Sequence, residues 1–546
     1  MIRVVLLLFS FLAFYLVQGQ ENKTEKIDAL LQSFEKPNSP GLSIGIVQNG
    51  KIVYSKGIGL ASIKNNISNN TKTIFSIASI AKQFTASCIW VLAQEKKLSL
   101  EDDIRKYLPE IANYGTPIKI KHLLNHTSGI RNYHAIMDLQ GFDYDLEYYN
   151  NETVLQLATK QRGLNNKPGE KVLYSNTNYN LLTTIIERVS GKNLNEFATE
   201  KLFKPLQMNS SCFKVSNKQI IKNKAIEYQL SNGEYITNTS TQESYGAGSM
   251  ASTVEDLAKW ISVLNGINSE FKSLSNFLIQ CEKLENREKA KYARGVMVDN
   301  YKGYQTISHS GYSWGGQAQL ITLPEKNLGI IILTNLESIN PTPISYQILD
   351  LFLNDTTIKK PIKVKKNKDL NKNLNEFIGQ FKEINSDMKM EIFIENDTLK
   401  SKGSQAKKGV SLLSFEKNKF QRINNESVKY DFTKSKEQDL IIYFGGTPFY
   451  FKKTQFVKSE NVKIDEFVGN YFSEELNTTY IFFKKDNKLY LTYKNHENIA
   501  LSTVEIDEFG NNARTSYQFI RNGNNQIISM KLSSEGTVKD IRFIKQ

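Results

Sequence analysis

Phe75-Ser76-Ile77-Ala78-Ser79-Ile80-Ala81-Lys82-Gln83-Phe84-Thr85 is the stretch on which the reading of this chain turns. Ala81, Phe84, Cys88, Ile89 and Leu92 recur at helical spacing and predict a helix over 81–94 with one apolar face. A spacing of three puts Lys82 on the face of Ser79, one turn further on. Unpaired backbone N–H groups and the dipole at the helix start favour negative charge near the serine. A lysine partly removed from water loses its proton near neutral pH and can serve a serine nucleophile as base. Alone, the four residues say little. Ser-x-x-Lys recurs by chance in a chain this rich in both, and Ser79 would then be only a helix cap.

Upstream, apolar runs at 42–47 and 52–55 flank Gln48-Asn49-Gly50-Lys51, a hairpin signal, after a short helical lead-in at 26–34. Downstream, residues 79–260 read as mostly helical, with segments at 100–107, 180–189 and 253–264. Ser252-Thr253-Val254-Glu255 forms a capping box before the last of these. Strand patterns return at 305–310, 316–322 and 328–334. Strands, a long helical stretch, then strands predict an α+β fold in which the terminal strands share one antiparallel sheet and the helices form a separate lobe.

Two more motifs follow Ser79 in order. Tyr174-Ser175-Asn176 lies behind the loop Asn166-Lys167-Pro168-Gly169-Glu170, and His309-Ser310-Gly311 falls in a predicted strand. Together with Leu123-Leu124-Asn125-His126-Thr127-Ser128-Gly129-Ile130 and Gly246-Ala247-Gly248-Ser249-Met250-Ala251-Ser252-Thr253, the set resembles the serine β-lactamase and penicillin-binding-protein superfamily. The likeness is nearest the class C β-lactamase, esterase and D-peptidase branch and runs from about residue 27 to 353.

The resemblance implies a β-lactamase/transpeptidase-like domain and a cofactor-free serine hydrolase working through an acyl-enzyme. Ser79 would attack the substrate carbonyl, Lys82 take or relay its proton, and Tyr174 assist and protonate the leaving group. Asn176 would bond Lys82 and substrate. His309 and Gly311 would line the substrate site, with the N–H groups of Ser79 and Tyr312 as an oxyanion hole worth about 3 kcal/mol per donor. His309 stands where many relatives carry lysine, so recognition of a substrate carboxylate is expected to be weak. Arg294 is a candidate for a replacement charge. The expected substrates are therefore D-amino-acid peptides of the peptidoglycan type, or simple esters, ahead of β-lactams. A catalytically silent binding protein on the same scaffold is the rival reading.

The rest of the chain bounds these expectations. Its 546 residues suggest two to four domains, and 40% hydrophobic with 11% aromatic residues supply real cores. The formal charge of +14 is spread widely and reads as a solvated basic surface, with no nucleic-acid partner expected. Cys88, Cys212 and Cys281 show no ligand spacing, and one disulfide among them stays open; no metal or phosphate-loop motif is present. His122 and His126 are expected to shape the loop beside the helix, and His134 shows no partner.

Arg3 and the apolar run 4–17 predict a signal peptide over 1–19, hence an exported protein, periplasmic or secreted, or an N-terminal anchor if uncleaved. The catalytic domain is expected over 26–354 and a basic linker over 355–373. Leu374-Asn375-Glu376-Phe377-Ile378-Gly379-Gln380-Phe381 is echoed by Ile464-Asp465-Glu466-Phe467-Val468-Gly469-Asn470-Tyr471. That repeat predicts two small β-modules, 374–456 and 460–546, without chemistry of their own.

Overall fold

The hydrophobic run Leu328–Thr334 is buried at every position, as befits a strand covered on both faces. It sits inside a six-stranded antiparallel sheet. In spatial order the strands are Met297–Tyr301, Tyr304–Ser313, Gly316–Leu323, Leu328–Thr334, Leu42–Gln48 and Lys51–Ile58. The chain's early and late strands therefore do share one sheet, in register from Leu42 opposite Thr334 to Gln48 opposite Leu328. Asn49 and Gly50 both take positive φ, 51° and 76°, as the tight turn of the first hairpin requires.

The computed structural model describes residues 23–353 and 373–546, apart from 238–240, 286, 288, 385–387, 404–405, 407, 437, 445–446, 456–461 and 512–513. The expected signal segment and basic linker lie outside the described residues, save Asn373. The described residues form two compact units, one from 23–98, 186–280 and 293–353, the other from 99–185, 281–292 and 373–546.

In the first unit, Ile27 and Leu31 from the lead-in helix and Ile348 and Leu349 from the helix Pro341–Phe352 join Ile44, Ile46, Ile330 and Ile332 in one core. The helix Val254–Leu264 also packs on the sheet. Its cap is Thr253, whose hydroxyl accepts the Asp256 N–H at 3.1 Å. The predicted box began one residue earlier, but Ser252 still belongs to the short strand Met250–Ser252, where it pairs with Phe75. Within the described residues no disulfide joins Cys88, Cys212 and Cys281. Nor is any helix there long and apolar enough to cross a membrane.

In the second unit, the helix expected over 100–107 is a single 3-10 turn, Ile104–Lys106. Asp103 caps its start, accepting the Arg105 N–H at 3.0 Å with its own side chain, so the turn begins only at Ile104. The repeated segments open two β-structures. Strands from Gly379–Glu383 to Thr447–Thr454 close an eight-stranded barrel, and those from Gly469–Ser473 to Val538–Lys545 belong to a nine-stranded sheet. Gly379 and Gly469 share φ of 152° and 143°. A Cβ there would lie 2.5 and 2.9 Å from Cε of Lys453 and Lys545. That left-handed conformation favours glycine at both openings, while the lysine side chains that approach are flexible and could yield.

The nine-stranded sheet and the helical residues of this unit share a core that includes Tyr133, Ile136, Tyr149, Phe467, Tyr480 and Phe543. Arg131 is buried there against Glu475, 2.6 Å away, and also bonds Gln161 at 2.8 Å and the Lys539 carbonyl. A buried pair satisfied on several sides in this way is costly to break.

Candidate active site

Ser79 sits in a 3-10 turn, Ala78–Ala81, that leads directly into the helix Lys82–Gln94. A 3-10 turn has three residues per revolution, so positions i and i+3 eclipse. Lys82 accordingly stands over Ser79, and its Nζ donates to the serine Oγ at 3.1 Å. The turn is entered through Ala78 at φ 44°, a left-handed conformation that alanine rarely adopts and that stores strain next to the serine. Such strain persists only where surroundings enforce it. Here Ile77 donates its N–H to the Met250 carbonyl at 2.9 Å and fixes the approach to the turn.

Lys82 is fully buried. Its Nζ also donates to the Ala247 carbonyl at 2.5 Å, and one turn on Thr85 donates to the Gly246 carbonyl at 2.8 Å. The helix face thus pins the Gly246–Gly248 loop beside the serine. Burial pushes the lysine amine well below its usual range, toward the neutral form a base requires.

The strand Tyr304–Ser313 brings the third motif to the same turn. Its pairing with Met297–Tyr301 ends at Met297 opposite Ser308, whereas on the other side it stays in register to Ser313 opposite Gly316. Among the described residues, one edge of 309–313 is therefore left without a strand neighbour. That stretch lies against the serine turn: a Cβ on Gly311 would be 2.3 Å from the Ile77 carbonyl oxygen. Tyr312 turns its side chain outward, and its hydroxyl bonds the Glu337 carboxylate.

His309 is buried, with Nδ1 2.6 Å from the Ser310 carbonyl. Burial, reinforced by the Lys82 charge and opposed by that hydrogen bond, pulls its pKa down to about 4. Arg294 has its guanidinium stacked over Phe277 at 4.4 Å and donates weakly to the Phe277 carbonyl. Lys82 and His309, the two basic groups brought to Ser79, are both held toward neutrality.

A pH prediction follows from His309. Its folded pKa lies below the ordinary value of 6.5, so between about pH 4 and 6.5 the unfolded chain binds the extra proton. This contribution to stability is complete above pH 6.5 and is lost as the pH falls toward 4. His122, pulled to about 4 chiefly by burial, adds in the same sense. Replacing His309 by asparagine is expected to flatten the acid limb of the melting temperature and leave the His122 part. An acid slope equal to the parent's would refute the assignment.

Tyr174 and Asn176 belong to the second unit. Tyr174 is 37% exposed and packs against His126 with the rings tilted, centroids 4.4 Å apart. His126 holds the tyrosine from both sides along the chain: its carbonyl accepts the Leu173 N–H at 2.8 Å and its Nδ1 accepts the Ser175 N–H at 3.3 Å. Tyr292 packs edge-on to Tyr174 and also contacts His126. The loop role expected of His126 is thus sharpened into positioning Tyr174. Asn176 meets His134, Nδ2 to Nδ1 3.1 Å, and that ring stacks on Tyr133. His134, for which the sequence showed no partner, fixes the asparagine. Among the described residues no cluster of three or more His, Cys, Asp and Glu is placed to hold a metal ion.

Comparison with known proteins agrees with this architecture. A Beta-lactamase family model matches residues 27–350. Protein flp of Staphylococcus aureus (strain MRSA252) is 32% identical over 324 residues, 58% of this chain and 63% of the relative. A teichoic acid D-alanine hydrolase of Staphylococcus aureus is 30% identical over 247 residues, 45% of this chain and 58% of that protein. The chain thus spans less than two thirds of these relatives. Among solved structures, the octameric penicillin-binding protein homologue from Pyrococcus abyssi has the same fold, with TM-score 0.55 and 24% identity over 86% of this chain and 98% of that one. FmtA from Staphylococcus aureus aligns at TM-score 0.50 and 26% identity, covering 60% of this chain and 89% of its own. With the family model matched over more than half its length, on a fold carrying the motifs in order, the chain belongs to the beta-lactamase family.

Proposed function

We propose that this protein is an exported serine hydrolase that cleaves D-aminoacyl esters or amides through an acyl-enzyme on Ser79. The observation that carries the reading is the buried Lys82 amine, 3.1 Å from Ser79 Oγ and deprived of the water that would keep it charged. Lys82 takes the serine proton as the hydroxyl attacks the carbonyl carbon. The oxyanion so formed is received by the N–H groups of Ser79 and Tyr312 at the unpaired strand edge. Tyr174, held by His126, delivers a proton to the leaving group, and Asn176, held by His134, orients substrate. Water then attacks the acyl carbon, one of its protons returning to Ser79 Oγ as the acyl group leaves, and the proton held on Lys82 makes good the one Tyr174 gave up. The roles of Tyr174 and Asn176 rest on the order of the motifs within the family.

The substrate class rests on the charge state of the pocket. With Lys82 and His309 both held toward neutrality, nothing in that pair offers a fixed cation to a substrate carboxylate. An aminoacyl ester brings no free carboxylate to the reacting end, so this pocket favours it over β-lactams and D-Ala-D-Ala peptides. The relative named a teichoic acid D-alanine hydrolase supports the same class. Export rests on the N-terminal pattern of Arg3 and the apolar run after it.

The test is a substrate panel read beside active-site labelling. A fluorophosphonate probe is expected to label a single peptide, the one containing Ser79. A D-alanyl ester of glycerol and p-nitrophenyl acetate are expected to turn over faster than nitrocefin or a D-Ala-D-Ala peptide. Labelling elsewhere, or turnover of nitrocefin ahead of the esters, overturns the proposal.

A further inference from the structure

Three residues before Tyr174, the chain passes through an open cleft of about 900 Å³ within the second unit. One wall is the loop 162–171, another the segment 112–116, and the barrel and nine-stranded sheet close it with Tyr450, Lys539 and Asp540. Arg162, Lys167, Lys171 and Lys539 line it, against Glu170 and Asp540, so cations outnumber acids. The volume is at the upper end of small-molecule sites and suits several units of a chain polymer.

Lys171 marks this as more than a basic surface. It is 95% buried, the side chain lining the cleft and its Nζ 5.8 Å over the Tyr450 ring. The charges that face it are Glu383 and Glu170, which raise its pKa, and Lys539, which lowers it; burial outweighs them and lowers it overall. A buried ammonium in such a place gains from an anion that enters the cleft. Beside it, Asn165 and Asn166 are also buried. Their amide nitrogens donate to the carbonyls of Thr537, at 2.6 Å, and Lys167, at 2.7 Å. Among the described residues their Oδ1 atoms have no hydrogen-bond partner, and hydroxyl groups are donors of the right kind.

We propose that this cleft is a binding subsite for an anionic, hydroxyl-bearing chain, with the anion at Lys171 and hydroxyls at Asn165 and Asn166. A polyol phosphate and an acidic glycan share this chemistry. The subsite is continuous with the helical core that holds Tyr174: Asn165, Gly169 and Leu173 donate their N–H groups to the carbonyls of Gly129, Thr127 and His126, each at 2.8 Å. Three residues span at most about 10 Å, so a chain seated here lies close to Tyr174. The cleft thus anchors a polymer whose substituents the enzyme removes.

Binding is measured with the full chain and with its Ser79→Ala variant, so that failure of the acyl-serine reading leaves this readout intact. The probes are poly(glycerol phosphate), polygalacturonate and neutral dextran at low salt. At least one anionic chain is expected to bind and dextran to be excluded; which one binds identifies the source of the anion. Lys171→Gln, and separately the exposed pair Arg162→Gln with Lys167→Gln, are expected to weaken binding about tenfold or more while p-nitrophenyl acetate turnover stays within about twofold. A thermal melt monitors folding, and should Lys171→Gln unfold, the surface pair decides. Failure of both anionic chains to bind, equal binding of dextran, or unchanged affinity in folded variants overturns the proposal.

Discussion

Replacing Ser79 by alanine is expected to abolish fluorophosphonate labelling and to lower ester turnover on the order of 10⁵-fold, because a nucleophile and its base act as one unit. Lys82→Met is expected to cost about a thousandfold, within the usual range for removing a positioned proton acceptor. The double variant is expected to be little slower than Ser79→Ala alone. Methionine keeps much of the length of the buried stem and removes the amine that meets Ser79 Oγ and the Ala247 carbonyl.

The same substitution has an opposite effect on stability, and this separates a catalytic role from a structural one. The folded pKa of Lys82 lies well below its ordinary value near 10.5, so over that interval the unfolded chain binds the extra proton. The lysine therefore destabilises the fold at neutral pH, and its penalty shrinks as the pH rises toward 10. Lys82→Met should melt higher than the parent at pH 7, with the gap narrowing at pH 9. Near-parental kcat/KM in this variant would remove Lys82 from the mechanism. A lower melting point with low activity would make it a structural residue instead.

What the sequence disclosed and what it hid follow from the range of the interactions. The Asn49-Gly50 hairpin and the strand 328–334 were legible because turn chemistry and apolar runs are local signals. The face shared by Ser79 and Lys82 was legible as well, since any helical turn brings i and i+3 together; that the turn is 3-10 was not. The left-handed φ of Ala78 left no trace, because alanine carries no signal for it. The Ala247 carbonyl that holds Lys82 is a backbone atom and has no residue type. His126 and His134 act across 49 and 42 residues, on Ser175 and Asn176, and a lone histidine carries no periodicity that would reveal such a partner. In the 100–107 segment the sequence was misleading, for Asp103 caps a single turn where a helical pattern was read. The repeated Phe-x-Gly openings pointed to small β-sheet or barrel modules without saying which form each would take.

Gly311→Ala is expected to lower kcat/KM by at least about a hundredfold, although a methyl group adds no charge. The new Cβ would lie 2.3 Å from the Ile77 carbonyl oxygen and 3.2 Å from Ala78 Cβ. Neither is the mobile end of a flexible side chain. Ile77 is tied by its N–H to Met250, and Ala78 already sits in its strained conformation. The strand, paired with Gly316–Leu323 along its other edge, cannot retreat without losing ladder hydrogen bonds. The serine turn must then give way, and a displacement near 1 Å at a reacting group costs about 10² in rate. Overpacking of this kind also costs about 1–3 kcal/mol of stability, which a urea titration would register. Gly248→Ala is the matched control, since its added Cβ would meet only Ala78, at 3.9 Å, an ordinary contact. Activity should survive there and fail at Gly311; equal activity in the two variants would mean that the strand does not brace the nucleophile.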